Sequence, residues 1–184
     1  MYSQQENEAS HNIKIGIGFS YLPVTGVIRF LGKDEHVPEI HGRGFYSAGL
    51  TVIYSFNKNI AIESGAMFAK YNLNVVPWGP DRSGYMEDLS TLYIPLSLRY
   101  SFPKFVFITS GLFFEYDNSK PGELQNQSGI GLILGPGLIY EFRNRISLYI
   151  NPYLNVHSWI SYNYGLNNDK IFEASIRLGF LYRL

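Results

Sequence analysis

Between Leu92 and Phe102 the chain reads LYIPLSLRYSF. Leu92, Ile94, Leu96, Leu98, Tyr100 and Phe102 fall on one side of a two-residue period, with Tyr93, Ser97, Arg99 and Ser101 on the other. Large apolar groups at i, i+2 and i+4 mark a strand with one apolar face, because successive side chains of an extended chain point to opposite sides. The segment closes on YSF, and that ending recurs. YSF stands at Tyr54–Phe56 and Tyr100–Phe102, YEF at Tyr140–Phe142 and YRL at Tyr182–Leu184, at intervals of 46, 40 and 42 residues. Each interval holds two strands and their connections. The first three copies run into short polar stretches, NKN, PK and RNR, which read as tight turns.

Working outward from this segment, seven more follow the same rule. Ile13, Ile15, Ile17, Phe19 and Tyr21 oppose Lys14, Gly16, Gly18 and Ser20. Tyr46, Ala48, Leu50, Val52, Tyr54 and Phe56 oppose Ser47, Gly49, Thr51 and Ser55; Ile60, Ile62, Ala66 and Phe68 oppose Glu63, Gly65 and Tyr71. After the opening segment, Val106, Ile108, Leu112, Phe114 and Tyr116 oppose Thr109, Gly111 and Glu115, with Phe107 and Phe113 blurring the alternation. Ile130, Leu132, Leu134, Leu138, Tyr140 and Phe142 then face away from a nearly all-glycine side (Gly129, Gly131, Gly135, Gly137) that ends on Glu141. Ile146, Leu148, Ile150, Leu154 and Val156 oppose Ser147, Tyr149, Asn151, Tyr153, Asn155 and His157. Phe172, Ala174, Ile176, Leu178, Phe180, Tyr182 and Leu184 oppose Glu173, Ser175, Arg177, Gly179 and Arg183.

Connections alternate too. Turns of two or three residues join segments two to three, four to five and six to seven, and longer stretches (22–43, 72–90, 117–127, 158–170) join the rest. With an even strand number, all short turns and both chain ends share one rim, the arrangement of bacterial outer-membrane barrels with short periplasmic turns. The expected fold is all-β, an eight-stranded antiparallel up-and-down transmembrane β-barrel over residues 12–184, preceded by a polar lead-in over 1–11. Tyr54, Phe56, Tyr100, Phe102, Tyr140, Phe142 and Tyr182 then form an aromatic girdle at the periplasmic interface, since amphipathic rings are stable at headgroup level.

Composition fits this reading. Aromatics make up 16% of the chain, net charge is +0, there is no cysteine, and mean hydropathy is −0.06, an average that alternation produces in a barrel wall. No basic cluster invites nucleic acid, and no apolar run approaches the ~20 residues of a membrane helix. The start, MYSQQENEASHN, lacks the basic and apolar regions of a signal peptide, so the chain is read in mature form. A soluble up-and-down barrel would show the same alternation with the apolar face inward. Its outer face would then be about a quarter to a third charged, whereas the polar face here is mainly Gly, Ser and Thr. Pro95, Pro136 and Pro152 each remove a ladder donor, so bulges or local irregularity are expected there.

The layout resembles eight-stranded outer-membrane proteins of the OmpA and OmpX type. LYIPLSLRYSF, GIGLILGPGLIYEF and ASIRLGFLYRL are similar to the outer-membrane β-barrel domain family that includes PorT-like proteins. The resemblance covers nearly the whole chain and implies a Gram-negative outer-membrane location with periplasmic termini. It further implies a structural or protein-interaction role, with participation in a secretion or assembly complex as one form of it. A lipid A deacylase-like enzyme is the alternative. Outer-membrane lipid and lipopolysaccharide are the expected surroundings, with other envelope proteins as further partners; no cofactor, metal or nucleic acid is expected.

Inward-facing Lys14, Arg99 and Arg177 accompany Glu63, Glu115, Glu141 and Glu173, a mixture that suggests ion pairs filling the lumen. Arg99 is expected to meet Glu63 on the neighbouring strand. Together with Tyr93, Tyr149 and Tyr153 these groups predict a plugged interior. His157 beside Ser158, with Ser161 near, is the one pairing that could serve a lipid hydrolase, yet neighbours in a strand point to opposite faces. In the first long loop Asp34, Glu35, His36, Glu39 and His41 could gather a divalent ion, although solvated loop residues give the same composition. Trp78 and Tyr85 in the second loop read as interfacial anchors.

Overall fold

A computed structural model describes residues 12–21, 24–29, 39–76, 83–102, 105–119, 127–162 and 169–184. Its elements are strands: β1 (Asn12–Tyr21), β2 (Val24–Arg29), β3 (Glu39–Ser55), β4 (Ile60–Val76), β5 (Tyr85–Ser101), β6 (Val106–Asp117), β7 (Gly129–Glu141), β8 (Ile146–Ser161) and β9 (Asp169–Arg183). All pair antiparallel. β1 and β2 occupy one place in succession, both lying between β3 and β9, so the sheet has eight places and closes into a ring through the β1–β9 pairing. The fold is an eight-stranded antiparallel transmembrane barrel.

The alternation read from the sequence orients the eight segments in which it was read. Ile17, Leu50, Phe68, Leu92, Leu98, Phe114, Leu138, Leu148 and Leu178 are exposed on the outside, while Thr51, Glu63, Arg99, Thr109, Glu115, Asn155 and Arg177 are buried within. An apolar outside around a polar, charged inside inverts the soluble barrel.

Strands run further than expected at the rim opposite the turns. Residues 24–29 and 39–43 of the first long connection, 72–76 and 85–90 of the second, and the ends of the fourth are strand. The reason is physical: apolar outward residues stop where lipid stops, but backbone pairing continues into water. Beyond Phe68 the outward residues of β4 are Lys70, Asn72 and Asn74, and Lys70 pairs with Asp88 of β5 at 2.7 Å. Asp88, through its hydrogen bond and charge, raises the Lys70 pKa above the ordinary lysine value. Of the loop candidates, Asp34, Glu35, His36 and Trp78 lie outside the described residues, as does the lead-in over 1–11. Glu39 opens β3, His41 sits in its ladder between Gly26 and Asn74, and Tyr85 opens β5, exposed.

The three turns share one closing bond, and each is four residues long by the strand limits rather than two or three. In each the phenylalanine amide bonds the carbonyl four residues on: Phe56 to Ile60 at 2.9 Å, Phe102 to Val106 at 2.8 Å, Phe142 to Ile146 at 2.8 Å. Leu184 N bonds Ile13 O at 3.0 Å, so both described chain ends share this turn rim.

The prolines interrupt the ladder without inserting residues. Pro136 and Pro152 face one another in a pause of the β7–β8 pairing between Leu134↔Leu154 and Leu138↔Ile150, and each keeps a regular partner on its other side. Asn151 Nδ2 bridges the pause, donating to Pro136 O at 2.6 Å and Pro152 O at 3.2 Å. At Pro95 the β4–β5 pairing pauses between Ser64↔Leu96 and Met67↔Tyr93, and Ser64 Oγ donates to Pro95 O at 2.9 Å. Local irregularity is present; bulges at these prolines are not.

Candidate functional site: the lumenal charge network

From the turn rim upward, the lumen is filled in layers. Lys14 of β1 pairs with Glu141 of β7 at the mouth, where Glu141 is exposed. Above them Arg99 donates to Glu63 Oε2 from Nε (3.1 Å) and Nη2 (2.5 Å), with both residues 3% exposed. The Arg99 guanidinium lies 3.9 Å from the Phe107 ring centroid and 5.3 Å from that of Tyr149, so aromatic faces cover the ion pair. Arg177 of β9 reaches Glu63 Oε1 from Nη1 at 3.4 Å and packs over Tyr153 at 4.8 Å. Glu63 thereby joins two cations from different sides of the ring.

The upper layer centres on His157, which is fully buried. Its Nδ1 lies 2.8 and 3.0 Å from the Glu115 carboxylate oxygens and its Nε2 3.0 Å from Glu173 Oε2. Tyr71 donates its hydroxyl proton to Glu173 Oε2 at 2.7 Å, and Phe113 packs edge-on to the imidazole at 5.0 Å. A ring facing carboxylates through both nitrogens is satisfied when both carry protons. Counted that way, Arg99, Arg177 and His157 balance Glu63, Glu115 and Glu173 between the mouths, as a low-dielectric interior requires of buried charges.

Three of the rings that fill the lumen lie on glycines. Phe107 pairs with Gly137 and Phe113 with Gly131 across β6–β7, and Tyr149 pairs with Gly179 across β8–β9. A Cβ at any of these glycines would come within 2.2 Å of the facing ring. The missing side chain is the space the ring occupies, the aromatic cover of glycine known from strand pairs.

The structure therefore brings the seven sequence-predicted lumen residues into three clusters: Lys14 with Glu141, Glu63 with Arg99 and Arg177, and Glu115 with Glu173 through His157. Sequence reasoning left Tyr71 and His157 out of this network. Its doubt about Phe107 and Phe113 was answerable, because the six-residue spacing of these two matches that of Gly131 and Gly137 on the facing strand.

The hydrolase geometry is not formed, since both His157 nitrogens face carboxylates. Ser158 is also buried rather than turned to the opposite face: it has φ 48° beside a register shift in the β7–β8 ladder. The residue next to His157 thus escapes alternation through a bulge.

At the turn rim the girdle residues project outward as repeated pairs. Tyr54–Phe56, Tyr100–Phe102 and Tyr140–Phe142 meet edge to face at 5.1, 5.0 and 4.8 Å, and Tyr182 is exposed alongside. The recurring tripeptide is thus an aromatic pair set directly beside a turn that its phenylalanine amide closes.

No family profile matches this chain, and no curated protein matches it in sequence. Among solved structures, the outer membrane protein OprG from Pseudomonas aeruginosa is similar with a TM-score of 0.65 over 96% of this chain and 97% of that one, at 16% identity. The translocator domain of the autotransporter NalP from Neisseria meningitidis reaches a TM-score of 0.35 at 8% identity, over 97% of this chain and 90% of that one, and adds no support. The likeness to OprG is one of fold: a closed ring of antiparallel strands built for a membrane.

Proposed function

We propose that this chain is a small integral protein of a Gram-negative outer membrane, with its turn rim and both ends in the periplasm. Its closed barrel serves a structural or protein-interaction role rather than conduction or catalysis. One observation carries the reading: the mid-lumen is occupied by the Glu63–Arg99 ion pair and the rings of Phe107 and Tyr149. An eight-stranded barrel has an interior just wide enough for side chains, and here paired charges hold those side chains in place. With transport closed off, the surfaces left for function are the lipid-facing wall and the rims. PorT-like kinship would make the partner another envelope protein of a secretion or assembly complex, in surroundings of outer-membrane lipid and lipopolysaccharide. A lipid-modifying enzyme built on His157 and Ser158 finds less support, because the imidazole is committed to Glu115 and Glu173.

Two measurements test this. In planar bilayers the purified monomer gives no steady conductance steps of porin size; their appearance would overturn the plugged reading. Mild solubilisation of native membranes recovers a stable envelope-protein companion, whereas a solitary barrel with reproducible lipid turnover would favour the enzyme.

A further inference from the structure

We propose that the β7–β8 hairpin and its turn form a binding site for one anionic glycerophospholipid. The inference rests on the membrane reading above and adds a named lipid class at a named place. An apolar groove of about 630 Å³ runs along the outer wall of this hairpin, lined by Leu138, Tyr140, Leu148, Ile150 and, from the β5–β6 turn and β9, Phe105 and Leu178. Toward the turn rim its end is marked by the stacked rings of Phe105 and Tyr140, 5.9 Å apart and inclined by 28°. Immediately beyond lies the turn carrying Arg143 and Arg145, both exposed, and the Arg183 amide donates to Arg145 O at 2.9 Å, which ties the turn to β9.

Among the described residues neither Arg143 nor Arg145 has a carboxylate partner. Glu141, the acidic residue next to this turn, is held by Lys14. An apolar groove ending at unpaired cations matches an amphiphile with alkyl chains and an anionic head. Free phosphate would satisfy the arginines and leave the groove unused.

The test is native mass spectrometry of the detergent-purified barrel titrated with phosphatidylglycerol or phosphatidylcholine. The wild type is expected to retain phosphatidylglycerol at concentrations where phosphatidylcholine is lost. Replacing Arg143→Gln and Arg145→Gln together should weaken phosphatidylglycerol retention by roughly five-fold per charge removed, with barrel folding checked by heat-modifiable mobility. Lys58→Gln, on a turn outside the groove, should leave retention unchanged, and Leu148→Trp should lower it with no change of charge. Millimolar inorganic phosphate should not displace the lipid. Equal retention of both lipids by a wild-type barrel that inserts into vesicles overturns this site alone, as does a Lys58→Gln loss equal to that of the arginine pair or displacement by phosphate. A wild type that stays monodisperse without detergent and does not insert overturns the membrane reading instead.

Discussion

Arg99 reaches diagonally across one strand gap to Glu63: its own rung on β4 is Ala61, and its Nε and Nη2 both meet Glu63 Oε2 two residues on. Arg177, by contrast, approaches the same carboxylate only at 3.4 Å, and its Nε and Nη2 have no acceptor among the described residues. The two arginines should therefore respond differently to loss of charge. Arg99→Met leaves Glu63 with the long contact alone and should destabilise the barrel by about 3–5 kcal/mol. Arg177→Met leaves the better pair intact and should cost less than about 1.5 kcal/mol. Urea unfolding in phospholipid vesicles measures both, and equal losses would show that Arg177 is as firmly paired as Arg99.

His157 sits between Glu115 and Glu173 and offsets one of their two charges. His157→Phe should cost about 3–5 kcal/mol, because two buried carboxylates lose their shared cation. Adding Glu115→Gln and Glu173→Gln to that variant should recover most of the loss. If the triple variant is no more stable than the single one, packing of the ring rather than its charge is what matters there.

Phe107 lies on Gly137 and supports Arg99 from the other side. Gly137→Val should overpack this layer and destabilise by about 1–3 kcal/mol. Combined with Phe107→Ala, the effect should fall well short of the sum of the two single changes, since the smaller ring site admits the new side chain. Simple additivity in the same unfolding assay would mean the two residues do not share this space.

Tyr100 and Phe102 repeat the contact made at the other two turns, with centroids 5.0 Å apart. A double-mutant cycle to alanine should return a coupling of about 0.5–1.5 kcal/mol. Zero coupling would reduce the girdle to independent interfacial anchors.

The sequence by itself determined the faces of the eight segments it marks, the closed eight-place ring, the shared rim of the turns and the outward set of the aromatic pairs beside those turns. All of these follow from one local rule: an extended chain alternates sides, and each side is matched to its medium. Tertiary structure decided the rest. It extended strands where pairing continues past lipid, added β2 above β1 within the first long connection, and let a bulge turn Ser158 inward beside His157. It also selected the partners across the lumen: Tyr71 with Glu173, 102 residues apart, His157 with Glu115, 42 apart, and Arg177 with Glu63, 114 apart. Those meetings depend on the relative heights of strands that are not neighbours in the ring. Height is set by the stagger accumulated around the closed sheet, and a two-residue period carries no record of it.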